Sequence, residues 1–213
     1  MTYRCQQRRQ AKEQTKRMGY YIRVLSQNES HVPASALEDR LRSDNLTAVL
    51  RVDRGVPDAW EQITILDGSF SELSVVERNP VAPDSLAEEE LQEFVEEVDD
   101  ASPRSAARWL AEYLPTVRVI YAFQILGSLK RAGWLPIHAI EGELWGTLGG
   151  IVQADGEGFT NPDGYHILWR FSDHVSGPWQ MAVLNDANEW VTFEMELGNR
   201  EQRKAFLAGK VPV

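Results

Sequence analysis

Residues 46–60 read LTAVLRVDRGVPDAW, and residues 165–179 read YHILWRFSDHVSGPW. Three positions recur in register: Arg51, Val56 and Trp60 in the first stretch, and Arg170, Val175 and Trp179 in the second. Earlier blocks keep the same order, with IRVL at 22–25 resembling VRVI at 117–120, and ALEDRL at 36–41 resembling AIEGEL at 139–144. A shared order of blocks indicates an internal duplication. We therefore expect Arg51 and Arg170 to lie inside equivalent strands, and Trp60 and Trp179 to anchor the core.

Each half has the pattern of one strand, one helix and three further strands. In the first half, β-branched and aromatic runs predict strands at 20–25, 48–52, 62–66 and 73–77, with a helix that begins at Ser35. In the second half, the predicted strands lie at 117–126, 166–171, 180–184 and 191–197, with partial helix over 134–145 and a closing helix at 199–207. The sequence predicts an α+β fold of two similar β-α-β-β-β lobes, mainly antiparallel and joined by helices.

The expected domain organisation has four parts. They are a disordered basic tail at 1–17, a first α+β lobe at 18–82, an acidic helical connector at 83–115 and a second α+β lobe at 116–213. The tail lacks hydrophobic periodicity, and Met18 opens a stretch that resembles the beginning of a domain. Translation from Met1 and translation from Met18 both remain open.

The connector carries the clearest charge pattern. The stretch Ser85-Leu-Ala-Glu88 has the form of a capping box, which predicts that a helix begins there. On that helix the apolar residues turn inward, and four carboxylates turn outward as candidate binding residues: Glu89, Glu93, Glu96 and Glu97. The chain has a net charge of −10, and because the tail carries +5, the remainder carries −15. An acidic body repels phosphate backbones and suits a basic protein partner, although excess acid also serves solubility alone.

The two halves differ by a longer segment in the second, near 145–164, which we interpret as an inserted hairpin. Insertions on a duplicated scaffold often carry function. The candidate binding residues here are Asp155, Glu157, Asp163 and the nearby His166. Asp155 and Glu157 could form an acid/base pair, and the acidic and amide side chains could hold a cation, but the spacing does not match an EF-hand. A turn built for conformational reasons alone is the alternative.

Motifs for catalysis, metals and cofactors are missing from the sequence. No two histidines have the spacing of a helical zinc pair, the single Cys5 supports no metal site, and no serine elbow or phosphate-binding loop occurs. We therefore predict no catalytic residues, no metal and no cofactor. No apolar run is long enough to cross a bilayer, so a membrane is not expected as a partner. Nucleic acid is not expected either, because the acidic body repels phosphate backbones.

Three functional hypotheses follow from these patterns. The first is a cytoplasmic acidic module that binds a basic protein, with an antidote that neutralises a toxic enzyme, or a regulator, as concrete forms. The alternative is a hydrolase or small-ligand protein whose site lies between the lobes beside 145–164. The third is a structural role through homo-oligomer formation. The absence of catalytic motifs favours binding over catalysis.

Overall fold

The computed structural model describes residues 19–127 and 129–212, which contain ten strands and five α-helices. The strands are β1 (Tyr20–Ser26), β2 (Val49–Val56), β3 (Ala59–Leu66), β4 (Glu72–Pro80), β5 (Val119–Ile125), β6 (Ile151–Ala154), β7 (Gly158–Thr160), β8 (His166–Trp169), β9 (Pro178–Leu184) and β10 (Trp190–Glu196). The helices are α1 (Ala34–Ser43), α2 (Leu86–Val98), α3 (Arg104–Tyr113), α4 (Arg131–Leu148) and α5 (Arg200–Leu207). A short 3₁₀ helix, Leu114–Thr116, precedes β5.

All ten strands belong to one sheet, in the order β10-β9-β8-β7-β6-β1-β5-β4-β3-β2. Every neighbouring pair is antiparallel except β8 and β9. The α+β class and the mainly antiparallel pairing are thus confirmed. β1 lies between β5 and β6, so a strand from the beginning of the chain is enclosed by two strands from the second half.

The internal duplication is not confirmed, because the two halves place matching strands differently. The strand at 48–52, β2, lies at the edge of the sheet and pairs antiparallel with β3, whereas its predicted match at 166–171, β8, lies between β7 and β9 and pairs in parallel with β9. The expected equivalence of Arg51 and Arg170 is wrong. Arg51 lies in β2 and forms ion pairs with Asp53 and Glu72, whereas Arg170 follows the end of β8 and donates to the carbonyl of Glu97. β-branched and aromatic residues are common in strands generally, so similar strand sequences in the two halves do not determine which strands pair.

Side chains alternate between the two faces of the sheet because successive strand residues point in opposite directions. On one face, called the α4 face, Val24 and Tyr121 pack under α1 and α4. On the other, called the α2 face, Leu25 and Ile120 pack under α2 and α3. In β9, Ala182 packs on the α2 face with Leu25 and Ile120, while its neighbours Met181 and Val183 pack near Phe206 of α5. Helix α5 therefore covers β9 and β10 on the α4 face, some distance from α4.

The expected basic tail at 1–17 lies outside the described residues, and the lobe boundaries at 18–82, 83–115 and 116–213 stay predictions. The hairpin of β6 and β7 falls within 145–164. Among the described residues, no helix combines the length and apolar character needed to span a bilayer.

Candidate functional site

Helix α2 begins where the sequence predicted, because the Ser85 hydroxyl satisfies one free N–H group of its first turn and the Glu88 carboxylate satisfies an N–H group just before the helix. The Ser85 hydroxyl accepts from the backbone N–H of Glu88 at 3.2 Å, and the Glu88 carboxylate accepts from the backbone N–H of Asp84 at 2.8 Å. Ala87, Leu91, Phe94 and Val98 form its buried face. The spacing of these apolar residues fixes which residues point to solvent.

An ion-pair network centred on Arg23 of β1 fixes α2 to the sheet. Arg23 is 8% exposed, and its guanidinium donates to Glu90 of α2 at 2.6 Å and to Gln153 and Asp155 at 2.7 Å each. It also lies 5.5 Å from the ring centroid of Phe94, within cation–π range. Because one cation binds two carboxylates and an amide oxygen, the position of α2 on the sheet is strongly constrained.

The outward face of α2 presents an acidic surface, defined here as Glu89, Glu93, Glu96 and Glu97, and all four residues are exposed. None of the four side chains forms an ion pair with another described residue. Leu86, at the first position of the helix, is 83% exposed and lies one turn before Glu89 and Glu90. The surface therefore combines unpaired negative charge with one exposed apolar side chain.

A second candidate lies on the α4 face, in the gap between α4 and α5. Here β1, β6 and β7 form the floor of a cleft of about 520 Å³. Trp134, His138 and Glu141 of α4 form one wall, and Trp179 at the beginning of β9 borders the other side. These three α4 residues are spaced i, i+4 and i+7, so they lie on one face of the helix.

Two carboxylates in the cleft have specific polar partners. Glu157 accepts a hydrogen bond from the Tyr20 hydroxyl at 2.8 Å, and Glu141 contacts Nδ1 of His138 at 3.1 Å. Burial, with the negative charge of Glu141, raises the pKa of Glu157. The hydrogen bond to Glu141 raises the pKa of His138, and burial together with Glu157 raises the pKa of Tyr20. The two carboxylates therefore share a partly desolvated cleft, in which burial disfavours the ionised form of Glu157.

His166 lies beneath this cleft and is not accessible from it. It is 3% exposed, its Nε2 lies 3.1 Å from the backbone oxygen of Glu157, and its ring packs 4.8 Å from that of Phe171. Burial lowers the pKa of His166 to about 4, so the imidazole is neutral at neutral pH. Its position makes it a support for the Glu157 turn rather than a ligand-contacting group.

The structure separates the other residues predicted near the insertion. Asp155 bonds Arg23 on the α2 face, while Glu157 opens into the cleft on the α4 face, so the two do not form the acid/base pair considered from sequence. Asp163 is exposed in a turn, where its backbone N–H donates to the side-chain oxygen of Asn161. Within the described residues, no cluster of His, Cys, Asp and Glu suits a metal ion.

Sequence reasoning missed much of the cleft. Tyr20, Trp134 and Glu141 were not singled out, and Trp179, expected as a core anchor, is 39% exposed at the cleft border. Trp60, in contrast, is buried and donates to the carbonyl of Val32 at 2.8 Å. The helical spacing of Trp134, His138 and Glu141 was the signal available in the sequence.

Comparisons of the chain with protein-family models, with curated proteins and with solved structures give no match.

Proposed function

We propose that this protein is a cytoplasmic binding module that recognises a basic protein through the acidic surface of α2. The observation that carries the proposal is that four exposed carboxylates of one helix face form no ion pair with a described residue, although Arg170 contacts the backbone oxygen of Glu97 at one end of the surface. Carboxylates arranged in this way attract a cationic surface over a Debye length and increase the rate of encounter.

Two features of the helix support a role in recognition. First, the network of Arg23 with Glu90 and Asp155 holds α2 in place, so binding requires little ordering of the surface. Second, Leu86 offers an exposed apolar contact beside the charges. Interfaces combine a small apolar centre with a polar rim, and Leu86 with the surrounding glutamates has that composition.

The concrete form we favour is an antidote that covers a basic toxic enzyme, and a regulator of a basic protein is the other form. Both need a complementary surface rather than catalytic groups. Charge complementarity supplies the fast association that rapid neutralisation of a toxic enzyme requires.

The test uses a variant in which all four carboxylates of the acidic surface become amides, E89Q/E93Q/E96Q/E97Q. Basic proteins that the wild type captures from the producing cell are purified, and their association rates are measured from low to high salt. We expect the rate to fall as salt rises, and we expect the variant to associate at least about tenfold more slowly.

The matched control removes the same number of exposed carboxylates elsewhere, as E38Q/D58N/E61Q/D186N. These residues lie on α1, β3 and two turns, away from α2. The proposal requires the control to bind like the wild type. Equal slowing in both variants would mean that only total charge matters, and the proposed surface would be wrong.

A further inference from the structure

The cleft on the α4 face has a composition that the proposed function does not use. Two side chains that can carry negative charge, Glu141 and Glu157, lie in it together with three aromatic residues: Tyr20, Trp134 and Trp179. No Lys or Arg contributes to the lining, as far as the described residues show. His138 is its single basic group, and that group already bonds Glu141.

The surroundings of the two carboxylates favour a cation. The side chain of Glu141 is only 14% exposed, and Glu157 is half-buried, so water screens neither charge fully. Both carboxylates line the same cleft, and burial, followed by the negative charge of Glu141, raises the pKa of Glu157. A positive ligand in the cleft would be attracted by both carboxylates, whereas an anionic ligand would be repelled by them.

The aromatic residues determine which kind of cation fits. The Tyr20 and Trp134 rings meet edge to face with centroids 5.9 Å apart, and Trp179 stands on the opposite border. Indole and phenol rings attract organic cations through their electron-rich faces and also contact an apolar ligand body. A bare metal ion would use neither property, and the described residues offer no three-ligand group for one.

We propose that this cleft binds an organic ammonium ion, with its charged nitrogen beside Glu141 and Glu157 and its apolar body against Trp134 and Trp179. The volume of about 520 Å³ is in the range of small-ligand sites. This site is independent of the α2 surface, because the two lie on opposite faces of the sheet.

The rest of the cleft suits such a ligand. Tyr20 donates to one oxygen of Glu157, which orients that carboxylate and leaves its second oxygen for the ammonium. His166 below keeps its position through contact with the backbone oxygen of Glu157. The ligand therefore meets a preformed pair of acceptors rather than mobile side chains.

The experiment compares two probes of nearly equal shape, benzylammonium and benzyl alcohol, on the full-length protein. Indole N–H signals of Trp134 and Trp179 are followed by NMR, after assignment with W134F and W179F. We expect saturable shifts of both signals with benzylammonium, and binding at least about tenfold weaker with the alcohol, since the alcohol lacks the charge.

Variants then locate the binding. In E141Q/E157Q each Gln keeps an acceptor oxygen for its neighbour, so the fold is retained, and benzylammonium should bind about tenfold more weakly. The control E89Q/E93Q/E96Q/E97Q removes twice as many carboxylates from the opposite face and should leave this binding unchanged.

Three results would overturn the proposal. Equal affinity for benzyl alcohol would identify a neutral aromatic site instead, and unchanged affinity in E141Q/E157Q would place the cation elsewhere on the acidic surface. Shifts that do not saturate would show the absence of a site. None of these results bears on the binding of a basic protein by α2.

Discussion

At the scale of single residues, His166 makes the stability of this protein depend on pH. Burial keeps the imidazole neutral in the folded state and lowers its pKa from 6.5 to about 4. Between these values the unfolded chain binds a proton that the folded chain does not, so the free energy of unfolding decreases as the pH falls. The contribution of His166 is fully present above pH 6.5, and its loss by pH 4 amounts to about 3 kcal/mol.

Urea unfolding of the wild type and H166N at several pH values between 7.5 and 4 measures this contribution. We expect H166N to be less stable at neutral pH and to lose less stability on acidification. Glu157 acts in the opposite direction, because its raised pKa favours the folded state as the pH falls, and it is present in both proteins. Parallel pH profiles for the two proteins would show that His166 is not the group that titrates.

At the scale of elements, the N-terminal cap of α2 stabilises the helix, whereas the repulsion between its exposed carboxylates destabilises it. Its Ser85 cap satisfies an N–H group that otherwise loses its partner when the helix forms. We expect S85A to lower the free energy of unfolding by about 1 kcal/mol. The measurement is chemical denaturation, with hydrogen exchange of the first-turn amides to show that the effect is local; S85T, which retains the hydroxyl, is the control.

The acidic surface acts against the stability of the same helix. Glu93 lies one turn from Glu89, Glu96 and Glu97, so like charges repel along this face, and Glu96 and Glu97 lie near the negative end of the helix dipole. We expect E93Q/E96Q/E97Q to raise the free energy of unfolding by about 1 kcal/mol at low salt, with the gain disappearing at high salt. The same variant should bind a basic partner more weakly. A loss of stability instead would mean that these carboxylates have structural roles.

At the scale of the whole molecule, local patterns were predictable and long-range pairing was not. The capping box at Ser85 and the turn at Asp67, whose carboxylate accepts from the N–H groups of Ser69 and Ser71, depend on neighbours a few residues away. The placement of β1 between β5 and β6 depends on strands about one hundred residues along the chain. The cleft could not be predicted from the sequence for the same reason, because Tyr20, Glu141 and Glu157 come from three separate segments.

The interleaved sheet leads to a prediction about folding as a unit. β1 pairs with β5 over seven residue positions and with β6 over four, so removal of the first half would leave β5 and β6 without the strand that joins them. We expect neither fragment 18–115 nor fragment 116–213 to give a dispersed NMR spectrum alone, and we expect a mixture of the two to recover one. For the intact chain, far-UV circular dichroism and tryptophan fluorescence should report one coincident unfolding transition. A folded fragment 116–213 would instead show that the second half is an autonomous lobe, and it would make the duplication read from Arg51 and Arg170 credible again despite their different surroundings.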